Sequence, residues 1–260
     1  MTEKLGSGVQ IETGGAIGTI TLNRPRRHNS LVPELLQELV EGLAELRERE
    51  DLRVMVLQAN GRSFSTGGDV RAFHEHRDRA EAYSARLVGL LNQAILLLLE
   101  FPVPVVAAVH GIVTGGSLGL VLASDIVLLA PGAGFTPYYP VVGFSPDGGW
   151  TALLPRLIGL KRAAEVLLRN QTITADQAVA WGLASRIVPV DRIREEARTA
   201  ASEIAAMKLG SLQRTKHLLR ADYLDVAERL RDEQRHFCEQ IVTDEAKHGM
   251  VAFLGNAARR

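Results

Sequence analysis

Three glycine-rich segments hold most of the residues in this 260-residue chain that could do chemistry. Residues 61–70 read Gly-Arg-Ser-Phe-Ser-Thr-Gly-Gly-Asp-Val, residues 110–117 His-Gly-Ile-Val-Thr-Gly-Gly-Ser, and residues 142–150 Val-Gly-Phe-Ser-Pro-Asp-Gly-Gly-Trp. Each lies where a strand pattern gives way to a helix. Glycine lets two backbones approach closely, and a loop that opens a helix leaves N–H groups free at the positive end of the dipole. Two such groups aimed at one point would stabilise a developing enolate oxygen, typically the largest single catalytic contribution. Taken singly, each segment reads more readily as a tight turn. The acid in the third, Asp147, stands in Pro-Asp-Gly-Gly, itself a strong turn signature.

Taken together and in order, the segments resemble the enoyl-CoA hydratase/isomerase (crotonase) family. The resemblance rests on Phe64 to Val70, Val109 to Gly116 and Gly143 to Thr151. Leu22-Asn23-Arg24-Pro25, Leu154 to Gly159, Ala178 to Gly182 and Val251 to Leu254 support it, so it runs along nearly the whole chain. It implies an α/β fold, a crotonase-like spiral of ββα units with a C-terminal helical trimerisation region, and an acyl-CoA thioester as substrate. It places the two oxyanion donors on the backbone N–H groups of Thr66 and Gly116. Thr66, Gly67, Gly68 and Asp69 would wrap the thioester and pantetheine arm, with Asp69 holding its own loop rather than acting as a catalyst. Arg24 and Arg26 stand where basic residues could meet the CoA phosphates, or where a turn simply exposes charge to water.

The chain departs from the family's hydratases at two positions. Those enzymes add water with two glutamates, and here the corresponding residues are Gly119 and Tyr139. Hydration needs one group to deprotonate water and another to protonate the α-carbon, so ordinary hydratase chemistry is not expected. What remains is Asp147, and several isomerases of the family look like this, with a single acid at this place. One carboxylate suffices for a 1,3-proton shift: it takes a proton from C2, the oxyanion hole holds the dienolate, and the same group returns the proton to C4. Phe144, Trp150 and Tyr139 would surround it with apolar surface, raising its pKa and making it a better base. Tyr138 and Tyr139 could line the acyl pocket or pack in the core. Decarboxylation, hydrolysis or Claisen chemistry could use the same oxyanion hole, and a protein that only binds acyl-CoA could keep the fold without turnover.

These segments need rigid neighbours. Val9 to Thr13 and Ala16 to Leu22 flank Gly14-Gly15 as a hairpin. Pro33 onward carries Leu35, Leu36, Leu39, Val40, Leu43 and Leu46 on one helical face, and Ser84 to Phe101 repeats the pattern. Val54 to Ala59, Val105 to Val109 and Ile126 to Ala130 read as buried strands, so strands and helices alternate as in an α/β core. Thr174 and Gln177 predict a capping box, and Asp191 to Thr243 reads as nearly continuous helix. A soft boundary near 195 divides a core (1–195) from a helical region (196–260), which must pack on that core or on another subunit; a homotrimer or dimer of trimers is expected.

Lys+Arg and Asp+Glu are both 30, so net charge is zero, which gives no general attraction to nucleic acid or anionic membrane. The single cysteine, Cys238, leaves no disulfide framework or cysteine-rich metal site. No leader segment is visible, and the most apolar run, Ala94 to Leu99, is too short to cross a bilayer; a cytoplasmic protein is expected. Gly132-Ala133-Gly134 is followed by Phe135-Thr136-Pro137, which breaks a dinucleotide fingerprint, and no nicotinamide, flavin or metal is expected. Gly115-Gly116-Ser117-Leu118-Gly119 matches the nucleophile elbow of serine hydrolases, with Asp147 and then His217, His236 or His248 available in chain order. That rival requires Ser117 at the tip of a strand, whereas Gly111 to Thr114 intervene. His74 and His76 are poorly spaced for a helical metal pair and fall at the surface or the pocket edge.

Overall fold

In a computed structural model describing residues 8–223 and 225–257, the hairpin forms as its turn residues dictate. Strands β1 (Val9–Gly14) and β2 (Ile17–Leu22) pair antiparallel, and Gly15 turns with φ +59°. Helix α1 (Pro33–Arg47) has proline in its first turn, where the missing N–H costs nothing, and buries the leucine face read from its periodicity. Then follow β3 (Val54–Ala59), α2 (Val70–Glu75), α3 (Ala80–Leu99), β4 (Val105–Val109), β5 (Ile112–Thr114), α4 (Leu118–Leu122), β6 (Ile126–Leu129) and β7 (Gly134–Thr136). After these come α5 (Tyr139–Val142), α6 (Leu154–Ile158), α7 (Leu160–Leu168), β8 (Ile173–Thr174), α8 (Ala175–Ala180) and β9 (Arg186–Ile187). Four further helices close the chain: α9 (Ile193–Ala205), α10 (Leu209–Leu219), α11 (Val226–Ile241) and α12 (Asp244–Ala257).

The six-stranded sheet runs β1-β2-β3-β4-β6-β9, parallel after the first hairpin, and a smaller sheet runs β5-β7-β8. The chain feeds the two in alternation: β4 then β5, β6 then β7, β8 then β9. Each turn adds a strand to the same advancing edge, which is the expected spiral. Both faces of the large sheet are buried, as parallel sheets require. Met55, Leu57 and Ala107 face the main core with α1 and α3. Val54, Val56, Val106, Ala108 and Leu128 face a second core closed by Ile193, Ala197 and Ala201 of α9.

Helix α9 therefore belongs to the sheet, and the boundary expected near 195 falls inside it. The long C-terminal helix is also interrupted, at Ala206–Lys208 and again after Leu219, which lets α11 fold back along α3. There Asn92 Nδ2 donates to the Leu230 carbonyl at 3.0 Å and Gln234 Nε2 to the Ala85 carbonyl at 2.9 Å. The capping box at Thr174 and Gln177 is present. The helical stretch Arg77–Leu99 exceeds the short apolar run read from sequence and is long and apolar enough to cross a membrane by length and composition. Half of it is buried, with Leu87, Leu91, Ile95 and Leu98 in the protein core between α1 and α11.

Candidate active site

The first glycine segment is clamped from behind by the loop that follows β2. Asn29, fully buried, donates through Nδ2 to the carbonyls of Asn60 (2.8 Å) and Ser63 (2.9 Å), while Ser65 Oγ donates to the Asn29 carbonyl at 2.7 Å. Arg24 is part of this brace. Its Nη1 donates to the Ser30 carbonyl at 2.6 Å, and it does not line the cavity. Arg26 is exposed at the cavity mouth, next to Arg27, which pairs with Asp69 at 3.0 Å. Asp69 also accepts from Ser30 Oγ and from the N–H groups of Arg71 and Ala72, capping α2. Burial alone would raise its pKa, but the Arg27 hydrogen bond and charge, with Ala72 and Ser30, hold it below the usual carboxylate value. Asp69 thus ties together the loop around it.

The Thr66 N–H is not free to serve as an oxyanion donor. It donates to the His28 carbonyl at 3.1 Å. A free N–H lies two residues on. Leu31 bridges the chain on either side of Gly68, giving its N–H to the Gly67 carbonyl and its carbonyl to the Asp69 N–H. In that pattern the Gly68 N–H points away from Leu31; among the described residues it has no acceptor, and Gly68 lines the cavity. Gly67 (φ +72°) permits the approach to the second segment, since a Cβ there would lie 2.5 Å from the Thr114 carbonyl oxygen.

The second segment leaves β5 and turns through Gly115–Ser117 into α4. The Gly116 N–H, in the first turn, likewise has no acceptor among the described residues. Ser117 is fully buried and its hydroxyl donates to the Thr114 carbonyl at 2.7 Å and the Ser65 carbonyl at 3.1 Å. With His217, His236 and His248 exposed on α10, α11 and α12, the nucleophile-elbow reading fails. His76 stacks on Tyr83, and neither it nor His74 lines the cavity.

The third segment sits directly on the second. A Cβ on Gly119 would lie 2.4 Å from both the Gly148 carbonyl oxygen and Ile95 Cδ1, and one on Gly148 (φ +63°) would lie 2.3 Å from the Gly116 carbonyl oxygen. A side chain at 119 has no room. This contact lays the Asp147 carboxylate over Gly116, whose hypothetical Cβ would be 2.8 Å from each carboxylate oxygen. Tyr139 Oη donates to Asp147 Oδ1 at 2.6 Å and to the Asp147 carbonyl at 3.0 Å. Trp150, fully buried, packs edge-on against Tyr139, and its Nε1 donates to the Gly115 carbonyl at 2.7 Å.

Glu233 of α11, which carries no recognisable signal in a helical stretch rich in charge, holds this segment from below. It is 4% exposed and accepts from the N–H groups of Gly149 (2.7 Å), Thr151 (2.8 Å) and Ala152 (3.0 Å) and from Thr151 Oγ1 (2.6 Å). Asp147 is equally buried, and burial pushes its pKa up to about 7, with the Glu233 charge adding to the rise and the Tyr139 hydrogen bond opposing it. Burial, then the neighbouring Asp147 charge, drives the Tyr139 phenol well above its ordinary value, so it stays a donor.

These residues surround a cavity of about 390 Å³ whose far wall is apolar, formed by Phe73, Leu87, Val142, Phe144 and Phe237, with Phe253 and Leu254 arriving from α12. Two backbone donors and one protonatable carboxylate face a mostly apolar space, an arrangement able to hold an oxyanion and exchange a proton beside it. Among the described residues no three His, Cys, Asp or Glu side chains converge as metal ligands.

Residues 12–258 match the sequence model of a family described as enoyl-CoA hydratase/isomerase. A probable enoyl-CoA hydratase of Rhizobium meliloti is 31% identical over 245 residues, covering 94% of this chain and 93% of the relative. The 4-chlorobenzoyl coenzyme A dehalogenase-2 of an Arthrobacter species is 31% identical over 199 residues, covering 76% and 72%. The crystal structure of an enoyl-CoA hydratase/isomerase from Mycobacterium paratuberculosis superposes with a TM-score of 0.89 at 27% identity, over 96% of this chain and all of that one.

Proposed function

The chain belongs to the enoyl-CoA hydratase/isomerase (crotonase) family, and from that premise we propose that it is an enoyl-CoA isomerase using Asp147 as its single acid and base. The thioester oxygen accepts from the Gly68 and Gly116 N–H groups, which stabilise the dienolate. Asp147 takes the proton from C2 and returns it to C4. A pKa of about 7 suits both halves of that exchange, because the group is poised to gain and lose its proton near neutrality. Base, donors and apolar walls all come from this chain, so the reaction as proposed needs no cofactor beyond the CoA carried by the substrate. Arg26, exposed at the mouth, would meet its phosphates, whereas Arg24 is committed to its loop.

The observation that carries the choice of isomerisation over hydration is the packing at Gly119. Its contact with Gly148 and Ile95 leaves no space for a second acid, and the other candidate position holds Tyr139, a phenol kept protonated. Relatives are named as hydratases, so the two reactions are to be compared directly. Purified protein is offered 3-enoyl-CoA and 2-enoyl-CoA separately, with Asp147→Asn alongside. Conversion of the 3-enoyl substrate that disappears in the variant supports the reading; hydration that survives in Asp147→Asn overturns it. Binding of acyl-CoA with no turnover of either would instead assign a binding protein. A homotrimer or dimer of trimers belongs to the same proposal; the exposed Leu160, Leu168, Leu218 and Leu219 are consistent with subunit contacts, and sedimentation equilibrium measures the state.

A further inference from the structure

The two oxygens of the Asp147 carboxylate stand equally close to Gly116 but differ in their partners. Oδ1 accepts the Tyr139 hydroxyl at 2.6 Å, whereas among the described residues Oδ2 accepts no hydrogen bond, and Asp147 opens on the cavity. The same hydroxyl also donates to the Asp147 carbonyl at 3.0 Å, so one phenol ties the acid's side chain to its own backbone. The phenol is itself fixed: its ring meets Trp150 edge-on at 6.3 Å and 87°, and Trp150 is anchored on the Gly115 carbonyl. An unbroken set of contacts thus runs from the residue before the Gly116 donor to Oδ1.

We propose that Tyr139 is a positioning residue that assigns the two oxygens of Asp147 different work, holding Oδ1 and leaving Oδ2 as the one atom that takes and returns the proton. The inference rests on the isomerase reading above and says how its acid is controlled. In the first half-reaction the C2–H bond breaks, its proton goes to Oδ2 and its electron pair delocalises through C1 onto the thioester oxygen. In the second, that pair returns, C2=C3 forms as C3=C4 opens, and C4 takes the proton from Oδ2. Asp147 ends as the carboxylate it began as, and nothing is oxidised or reduced. With the proton on Oδ2, Oδ1 is the carbonyl oxygen of the acid and still accepts from Tyr139, so the hydrogen bond persists in both states. A carboxyl without it could rotate and carry its proton on the wrong oxygen.

Several other ionisable groups share the surroundings of Asp147. Glu233 lies behind it, Cys238 on α11 is a half-buried thiol near its charge, and Arg26, His28, Arg71, Tyr138 and the Asp69–Arg27 pair line the same cavity; α4 and the facing part of α3 present apolar side chains. Tyr139 alone among these donates a hydrogen bond to the carboxylate, and that bond favours the ionised form.

The test replaces Tyr139 with Phe, which keeps the ring against Trp150, and with 3-fluorotyrosine, a more acidic phenol. Two readouts are taken: the pH profile of 3-enoyl-CoA isomerisation, and the midpoint of Asp147 followed by carbon NMR of carboxyl-labelled protein. In Tyr139→Phe the expected results are a roughly tenfold or larger fall in kcat, a KM within about twofold, and an acid limb and NMR midpoint raised by about one pH unit. The 3-fluorotyrosine protein should move both downward, and it decides the matter if the Phe variant does not fold. An unchanged kcat, limb and midpoint would overturn the proposal. If the midpoint moves but wild-type protein isomerises nothing, the isomerase reading has failed while the positioning of Asp147 stands; isomerisation with an unmoved midpoint has the opposite meaning.

Discussion

Replacing Asp147 with Asn should change how stability depends on pH, by an amount the burial of the acid fixes. In the folded chain its pKa is about 7, against an ordinary value of 3.8. Between those values the native state holds a proton that the unfolded state has released, so unfolding free energy falls as pH rises. The group's contribution is complete below about pH 4, declines at about 1.4 kcal/mol per pH unit, and is gone above about pH 7, a total of about 4 kcal/mol. Asp147 is 4% exposed, so solvent screening takes little from this figure. Asn keeps the oxygen that accepts from Tyr139 but cannot ionise. Glu233, whose pKa burial also raises, contributes with the same sign, so the informative quantity is the difference between the two proteins. Urea unfolding of both at pH 5, 6, 7 and 8, at one protein concentration, should show the variant gaining on the wild type until about pH 7 and then running parallel. Parallel curves across the whole range would refute the claim that this carboxylate is held in a desolvated site.

Three further changes probe the packing that seats the acid. Gly119→Ala places a Cβ against the Gly148 backbone and Ile95; it should destabilise by about 1–3 kcal/mol and lower kcat more than it raises KM, read by unfolding and steady-state kinetics. Gly119→Glu should be worse folded and gain no hydratase activity. Glu233→Ala orphans three N–H groups and the Thr151 hydroxyl; each buried donor left unpaired costs about 1–3 kcal/mol, so the variant should be destabilised, with the remaining folded protein losing turnover because the Asp147 loop is no longer held.

The backbone is legible in the sequence wherever its determinants are local. Glycine pairs, the Pro-Asp-Gly-Gly turn and the leucine periodicity of α1 each fix backbone within a few residues, and the hairpin and the Thr174 capping box followed from them. What depended on through-space contact was not. The sequence points to Thr66 as an oxyanion donor, two residues short of the free Gly68 N–H, because nothing local reveals that the His28 carbonyl takes the Thr66 N–H. Arg24 stood out as a charged residue near a substrate mouth, yet only the fold shows its guanidinium turned onto the Ser30 carbonyl. Glu233 lies 82 residues from the Thr151 it binds. In the sequence it is one more acid on a charged helix, and its four hydrogen bonds exist only because α11 doubles back along α3. The same folding back explains the breaks in what reads as one long helix.

In the proposed isomerisation one acid moves one proton and no water enters the product. Turnover of 3-enoyl-CoA in water enriched in ¹⁸O, followed by mass spectrometry of the acyl-CoA pool, tests this most directly. Isomerisation by Asp147 gives 2-enoyl-CoA free of the label and no 3-hydroxyacyl-CoA. Labelled 3-hydroxyacyl-CoA accumulating at the rate of substrate loss would contradict it.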